Sequence, residues 1–262
     1  IKSDKIIHDK VKKDLIYKNA ILKIYDFPVL YFPKFFHPDP SVKRRSGFLQ
    51  PQFNNSKVLG SSLYLPYFKV LSHDTDYTVK PTIFEDGKYI FQNEYRKEYE
   101  NSSLVTDFSL TRGYKSPLDS EKKSISHFFL KFNKDFELPN YLESNFEAKI
   151  EKVSNDTYLK VFQNNLFWTP VMPGNRDIMQ SKISLDLDHE NYNLASGINI
   201  YEKLGSKNSD KYQYVFPYYN FTKSLSIENL NGSLSLTSSG SNNLNNTNNL
   251  RTTVTNGIDY NS

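Results

Sequence analysis

Hydrophobic and polar residues alternate with a period of two along most of this chain. Phe146, Ala148 and Ile150 oppose Asn145, Glu147, Lys149 and Glu151, and Ile183, Leu185 and Leu187 oppose Ser184, Asp186 and Asp188. Tyr192, Leu194, Ile198 and Ile200 continue the habit, as do Leu234 and Leu236 between serines. Tyr89, Phe91 and Tyr95 alternate with Gln92, Glu94 and Arg96. A period of two sends successive side chains to opposite faces of a strand, so each stretch has one oily and one charged face. Helical spacing is nearly absent. The pattern predicts an all-β chain, with strands after residue 46 near 47–53, 58–70, 76–84, 88–98, 103–112 and 123–133. Further strands fall near 143–153, 181–189, 192–203, 211–221, 230–238 and 251–260.

The connections sharpen the picture. Glu85-Asp86-Gly87-Lys88 is the strongest turn signal, because Asp-Gly suits the tight primed turns of hairpins. Counted from residue 47, the odd connections include 113–122, 154–180, 204–210 and the Asn/Ser-rich 239–250. The even ones include 71–75, 99–102 and 190–191, with 134–142 of moderate length. Successive connections of an up-and-down barrel alternate sides, and outer-membrane barrels keep one side short. A soluble sandwich has no reason to sort its loops this way, so a membrane barrel is favoured over a sandwich. Residues 1–45 differ. LIYKNAILKIYDFPVLYFPKF predicts two short strands joined at Asp26-Phe27-Pro28, as the last rungs of a packed β-domain that leads into the barrel.

Composition narrows the classes. Nowhere do apolar residues run for the roughly 18 positions of a membrane helix, which leaves barrel strands of about 10 residues as the way to span. Nineteen Tyr and 19 Phe beside a negative mean hydropathy fit such strands, although AT-rich coding also enriches Asn, Lys and Ile. The absence of cysteine removes disulfides, thiolate metal sites and cysteine nucleophiles. A net charge of +4 is too small to single out nucleic acid as a partner. The chain starts Ile-Lys-Ser, as a mature product or a fragment would.

One stretch is more specific than any strand. PVLYFPKFFHPDPSVKRRSGFLQP, residues 28–51, crowds aromatics, prolines and three consecutive cations into an elbow. It resembles the junction segment of the LptD (OstA/Imp) family of lipopolysaccharide-assembly proteins. LGSSLYLPYFKVLSHDTDYTVKPTIF (59–84), NEYR (93–96) and DTYLK (156–160) agree with that family in order and spacing. DKYQYVFPYYNFTK (210–223) and GSLSLTSSG (232–240) look like its alphaproteobacterial version. The resemblance implies a periplasmic β-jellyroll, ending in 1–45, followed by the N-terminal part of an outer-membrane barrel of about 26 strands in 46–262. It also implies lipopolysaccharide as cargo, a plug lipoprotein of the LptE type, a periplasmic bridge protein of the LptA type, and no cofactor. The disulfide-forming cysteines of the family have no counterpart here.

The same resemblance assigns candidate residues. Proline removes a ladder donor and is confined to edges and bulges, so Pro51 and Pro66 would weaken pairing in the first strands and make a lateral seam. Pro38 and Pro40 would stiffen the elbow, or simply terminate a strand, and Gly47 would let the backbone turn into the barrel. Lys43, Arg44 and Arg45 are candidates for clasping lipid A phosphates; the bland reading of such a run is a solvated face. Asp186 and Asp188 are expected to line the lumen and not to bind metal with His189. The five histidines at 8, 37, 73, 127 and 189 lack metal-site spacing. Asn220-Phe-Thr is a chance sequon in an Asn-rich chain, and Trp168 with tyrosines near strand ends suits an interfacial girdle, with core packing in a long loop the equal alternative for Trp168. The leading function is non-enzymatic delivery of lipopolysaccharide across the outer membrane. A passive porin and, further behind, a barrel hydrolase are the alternatives.

Overall fold

The computed structural model describes residues 2–42, 44–56, 59–112, 124–166, 169–206, 211–226, 232–245 and 249–261. The chain divides into two compact units, Ile1–Gly47 and Phe48–Ser262.

The first unit is a three-stranded antiparallel meander of β1 (Lys5–Asp9), β2 (Asp14–Ile24) and β3 (Phe27–Pro38). The expected two strands are longer than the sequence suggested, and a third precedes them. Tyr25 and Asp26 form the connecting turn with φ of 48° and 65°, the left-handed pair of a two-residue hairpin. Phe27 and Pro28 therefore belong to β3 and not to the turn. Pro33 sits within β3, which is tolerated because β3 is an edge strand. Among the described apolar side chains of this sheet only Ala20 is buried, while Ile6, Phe27, Leu30, Tyr31 and Phe36 are exposed.

The second unit is a meander built around one antiparallel sheet. Its first strands are short: β4 (Gly47–Phe48), β5 (Gln52–Ser56), β6 (Gly60–Tyr64) and β7 (Tyr67–Val70). Long strands follow: β8 (Thr75–Phe84), β9 (Tyr89–Glu98), β10 (Ser102–Arg112), β11 (Ser124–Asp135) and β12 (Tyr141–Val153). The remainder are β13 (Ile178–His189), β14 (Tyr192–Lys203), β15 (Tyr212–Ser226), β16 (Ser233–Asn245) and β17 (Asn249–Asn261). Each long strand pairs with its neighbours in sequence. The predicted strand at 58–70 is split at Leu65-Pro66, so that β6 pairs with the upper half of β8 and β7 with its lower half. A turn forms at Asp86-Gly87, with Gly87 at φ 77° and the Phe84 N–H donating to the Lys88 carbonyl at 2.9 Å, but Asp86 lacks the positive φ of the expected primed pair.

One expected loop is a hairpin. The Asn/Ser-rich stretch 239–250 carries β16 through Asn245, and β17 resumes at Asn249. Flanked on both sides, β16 satisfies its backbone whatever its side chains, and its polar residues pair across strands, as Ser238 does with Asn256 at 2.7 Å. Loop length sorts by side only in part, since the connections 85–88 and 246–248, on the same side as 154–177, are short. The connection 154–177 is long and holds α1 (Tyr158–Phe162) and a 3₁₀ turn (Gln163–Asn165), whereas 99–101 and 190–191 are short.

The two faces of the sheet are the reverse of those in a soluble protein. On one face Ile83, Leu110 and Ile183 are 58 %, 59 % and 50 % exposed, in line with Phe91, Phe128, Ile150 and Val254. On the other, Lys80, Glu94, Asp107 and His127 are buried. The unit's apolar core lies on this second face, where Tyr158, Leu159, Phe162, Leu166 and Val171 of the 154–177 connection pack with Ile90, Ile125, Phe129 and Val153.

Candidate functional site

The elbow is tied down at both ends within the first unit. Asp39 is the knot: its carboxylate accepts from the Ser41 N–H at 2.8 Å and pairs with His8 Nε2 at 2.6 Å, while its own N–H donates to the Lys13 carbonyl at 2.9 Å. The bonds from Ser41, with help from His8, hold the Asp39 carboxyl below the usual carboxylate range. Pro38 ends β3 opposite Asp14, and Pro40 sits in the turn that closes with the Val42 N–H on the Asp39 carbonyl. Arg45 reaches back to Asp14, donating from Nη2 at 2.8 Å. Of the three consecutive cations, Arg45 therefore has a buried carboxylate as its partner, and Lys43 lies outside the described residues. Arg44 is exposed.

Three prolines in the first strands of the second unit, Pro51, Pro66 and Pro81, form a line. Pro51 is not inside the first strand but in the interruption between β4 and β5, and Pro66 occupies the interruption between β6 and β7. Pro81, which sequence reasoning passed over, stands opposite on β8. The Leu49 N–H donates to the Pro66 carbonyl at 2.9 Å, and the Leu65 N–H donates to the Pro81 carbonyl at 3.1 Å. Pro66 and Pro81 thus accept from the preceding strand, and none of the three prolines offers a donor in return. Gly47 begins β4, and no atom lies within 4 Å of where its Cβ would stand. Beside this line, on the exposed face, a cleft of about 490 Å³ is lined by Phe53, Leu63 and Ile83 among others.

Behind the line, on the ion-bearing face, lies a cluster absent from the sequence reading. Lys80 donates to Glu94 at 2.6 Å and stands 3.8 Å from Asp107. Asp107 also accepts from Gln92 at 2.8 Å and contacts His127 Nε2 at 2.8 Å. The other ring nitrogen of His127 faces Ser109 Oγ at 3.1 Å and the Tyr158 hydroxyl at 2.8 Å, and that hydroxyl also meets Ser109. Arg96 covers Glu94 from the side. Hairpin register places Lys80, Gln92, Ser109 and His127 on one level of β8 to β11 and Glu94 and Asp107 on the next, and α1 supplies Tyr158. Asn155 starts the α1 turn by accepting from the Thr157 N–H at 2.9 Å, which aims Tyr158 at the wall. Burial pushes the Tyr158 hydroxyl pKa up, so it stays protonated and donates. An Asp-His-Ser chain can relay a proton, yet Ser109 is 1 % exposed with its oxygen against Tyr158. The arrangement fixes the connection to the wall and presents no nucleophile.

Asp186 and Asp188 share the ion-bearing face with Glu143, around a cavity of about 260 Å³. His189 points to the other face and stacks on Tyr192 at 4.8 Å, with Tyr141 edge-on at 4.9 Å. The structure therefore separates the histidine from the two aspartates and builds an aromatic patch at the short-loop end. Trp168 lies outside the described residues.

Apolar side chains on one face, ions on the other and long strands in an antiparallel meander define the wall of a membrane β-barrel. The family model described as LptD protein matches residues 15–226, and the chain belongs to that family. Among curated relatives, the LPS-assembly protein LptD of Idiomarina loihiensis is 24 % identical over 192 residues, 73 % of this chain. That of Pseudoalteromonas translucida is 31 % identical over 150 residues, 56 % of this chain, and that of Francisella tularensis subsp. holarctica is 28 % identical over 193 residues, 70 % of this chain. The chain spans only 24 %, 19 % and 19 % of those three proteins. They give no support to the alphaproteobacterial reading of 210–223 and 232–240.

Proposed function

We propose that the full-length protein delivers lipopolysaccharide to the outer leaflet of the outer membrane, as a translocator and not a catalyst. The first unit is then the end of a periplasmic jellyroll and the second the first part of the barrel wall. The observation that carries the reading is the proline line at the start of a wall that is greasy outside and ionic inside. Each CH₂ left in water costs about 0.8 kcal/mol, so an acyl-rich lipid has tens of kcal/mol against crossing a wet lumen. Its phosphorylated head is equally costly in hydrocarbon. A wall whose first strands are short and donor-poor, at Pro51, Pro66 and Pro81, can part sideways and let tails leave while the head stays wet. Pro38, Pro40 and Gly47 hold and turn the chain ahead of that opening. Lys43, Arg44 and Arg45 are the phosphate candidates of the elbow, with Arg45 also anchored on Asp14. A plug lipoprotein of the LptE type and a bridge of the LptA type complete the route. A passive porin accounts for the wall but gives the proline line no purpose.

The test is a cysteine pair that links β5 to the last barrel strand of the full-length protein. Lipopolysaccharide delivery should stop when the disulfide forms and return on reduction, with the barrel folded throughout. Delivery that continues with the link closed rejects the seam.

A further inference from the structure

The register of the long strands sets a row of cations abreast. Lys131 on β11 stands directly opposite Lys149 on β12, which stands opposite Lys182 on β13. Val105 joins Lys131 to Arg96 at one end of the row, and Asn199, Val215 and Asn243 lead to Arg251 at the other. All lie on the face that carries Asp107 and Glu151. Neighbouring strands are about 4.8 Å apart, so the three lysines fall within roughly 10 Å on one level of the wall.

Like charges directly opposite one another destabilise a sheet, and nothing in the fold requires them here. The rows beside the lysines carry a single charge each over β12 to β17: Asp186 with Asn145, Ala195, Asn220, Ser239 and Thr255 in one, and Glu147 with Ser184, Gly197, Tyr218, Ser241 and Thr253 in another. Internal neutralisation is partial. Lys149 pairs with Glu151 at 2.5 Å and Lys182 with Glu147 at 3.0 Å. Lys131, in the middle of the Arg96-to-Lys182 run, has no ion pair among the described residues. The lysine side chains are half-buried, 26 % exposed for Lys149 and 27 % for Lys182, so their charges are felt more strongly than at an open surface.

From this we infer that Lys131, Lys149 and Lys182 form a binding level for a phosphate ester on the inner wall, distinct from the cations of the elbow. Phosphate has three acceptor oxygens and up to two charges, and it bridges ammonium groups one strand apart while relieving their repulsion. The inference rests on the transport reading for its source, a phosphorylated glycolipid head, whereas free phosphate offers the same chemistry.

The experiment measures equilibrium binding to the detergent-solubilised full-length protein, so that no transport is needed. The probes are lipopolysaccharide, the same lipopolysaccharide after enzymatic removal of its phosphates, and inorganic pyrophosphate. Lys131→Gln/Lys149→Gln/Lys182→Gln should weaken lipopolysaccharide by about tenfold or more and leave the dephosphorylated form unchanged. The corresponding triple Arg variant should keep wild-type affinity, and it keeps the test decisive if the Gln variant misfolds, because an Arg variant that folds but loses phosphate preference overturns the site. Pyrophosphate that displaces lipopolysaccharide only at far higher concentration identifies the lipid head as the source, and equal potency identifies free phosphate. Equal affinities in wild type and the Gln variant, or equal losses for both forms of lipopolysaccharide, overturn the proposal. Delivery is measured separately: a protein that binds in this way but does not deliver sinks the transport reading and leaves the site standing.

Discussion

Replacing Lys80 by methionine tests whether the ion-bearing face is sealed around its cluster. The ammonium lies 2.6 Å from Glu94 and 3.8 Å from Asp107, and all three side chains are 0–1 % exposed. Removing one partner of a buried pair typically costs about 3–5 kcal/mol, because the other charge is left without compensation. Here two groups soften the loss. Arg96 still touches Glu94, but at 45 % exposure its charge is partly screened. Asp107 keeps His127 and Gln92. The expected cost of Lys80→Met is therefore near the lower end, about 3 kcal/mol. Adding Glu94→Gln removes the stranded charge and releases Arg96 to solvent, so the double variant should recover about 2 kcal/mol of that loss as a coupling energy. Urea unfolding of the full-length barrel in lipid vesicles gives both numbers. A Lys80→Met variant within about 0.5 kcal/mol of wild type, with a strictly additive cycle, would mean that water reaches the cluster and that its burial contributes nothing.

Three further outcomes follow from named contacts. Tyr158→Phe removes the hydroxyl shared by Ser109 and His127, which keep each other at 3.1 Å; the loss should be about 1 kcal/mol, read as faster hydrogen exchange across 158–166 with β10 and β11 unchanged, and unchanged exchange in 158–166 rejects the latch. Ile183→Lys on the exposed face should cost about 2–4 kcal/mol in a bilayer, while Ser241→Lys on the ionic face costs less than about 1 kcal/mol; equal costs by vesicle unfolding would reverse the assignment of faces. Gly197→Ala should destabilise by about 1–3 kcal/mol in the same unfolding measurement, because a Cβ there would stand 2.3 Å from the Ile183 carbonyl oxygen; a neutral result rejects the close approach of β13 and β14.

The strands were legible because alternation is a local signal. The ranges expected for β8, β9, β10 and β14 fall within one residue of those observed. Polarity misled where backbone pairing decides, as in the Ser/Asn run of β16, and a continuous apolar-aromatic stretch hid the break at Leu65-Pro66. The inner cluster was illegible for a different reason. Residues 80, 94, 107, 127 and 158 are 13 to 31 positions apart, with nothing in their neighbours to mark them. They become one site only when several hairpin registers are known together. The Arg45 pair with Asp14 was equally hidden, since a cation in a basic run does not announce which carboxylate it will find. The lysine row sits between these cases: each lysine is visible as a polar-face residue, but their alignment depends on the pairings of β11, β12 and β13.

From β8 to β17 each strand lies beside its neighbours in the chain, and this has a bearing on biogenesis. Pairing nearest neighbours costs little loop-closure entropy, so the wall can be laid down one hairpin at a time, with an error in one confined to its flanks. The proline-broken strands at the beginning contribute the fewest ladder bonds to such growth. They are the natural place for the wall to join last and to come apart first.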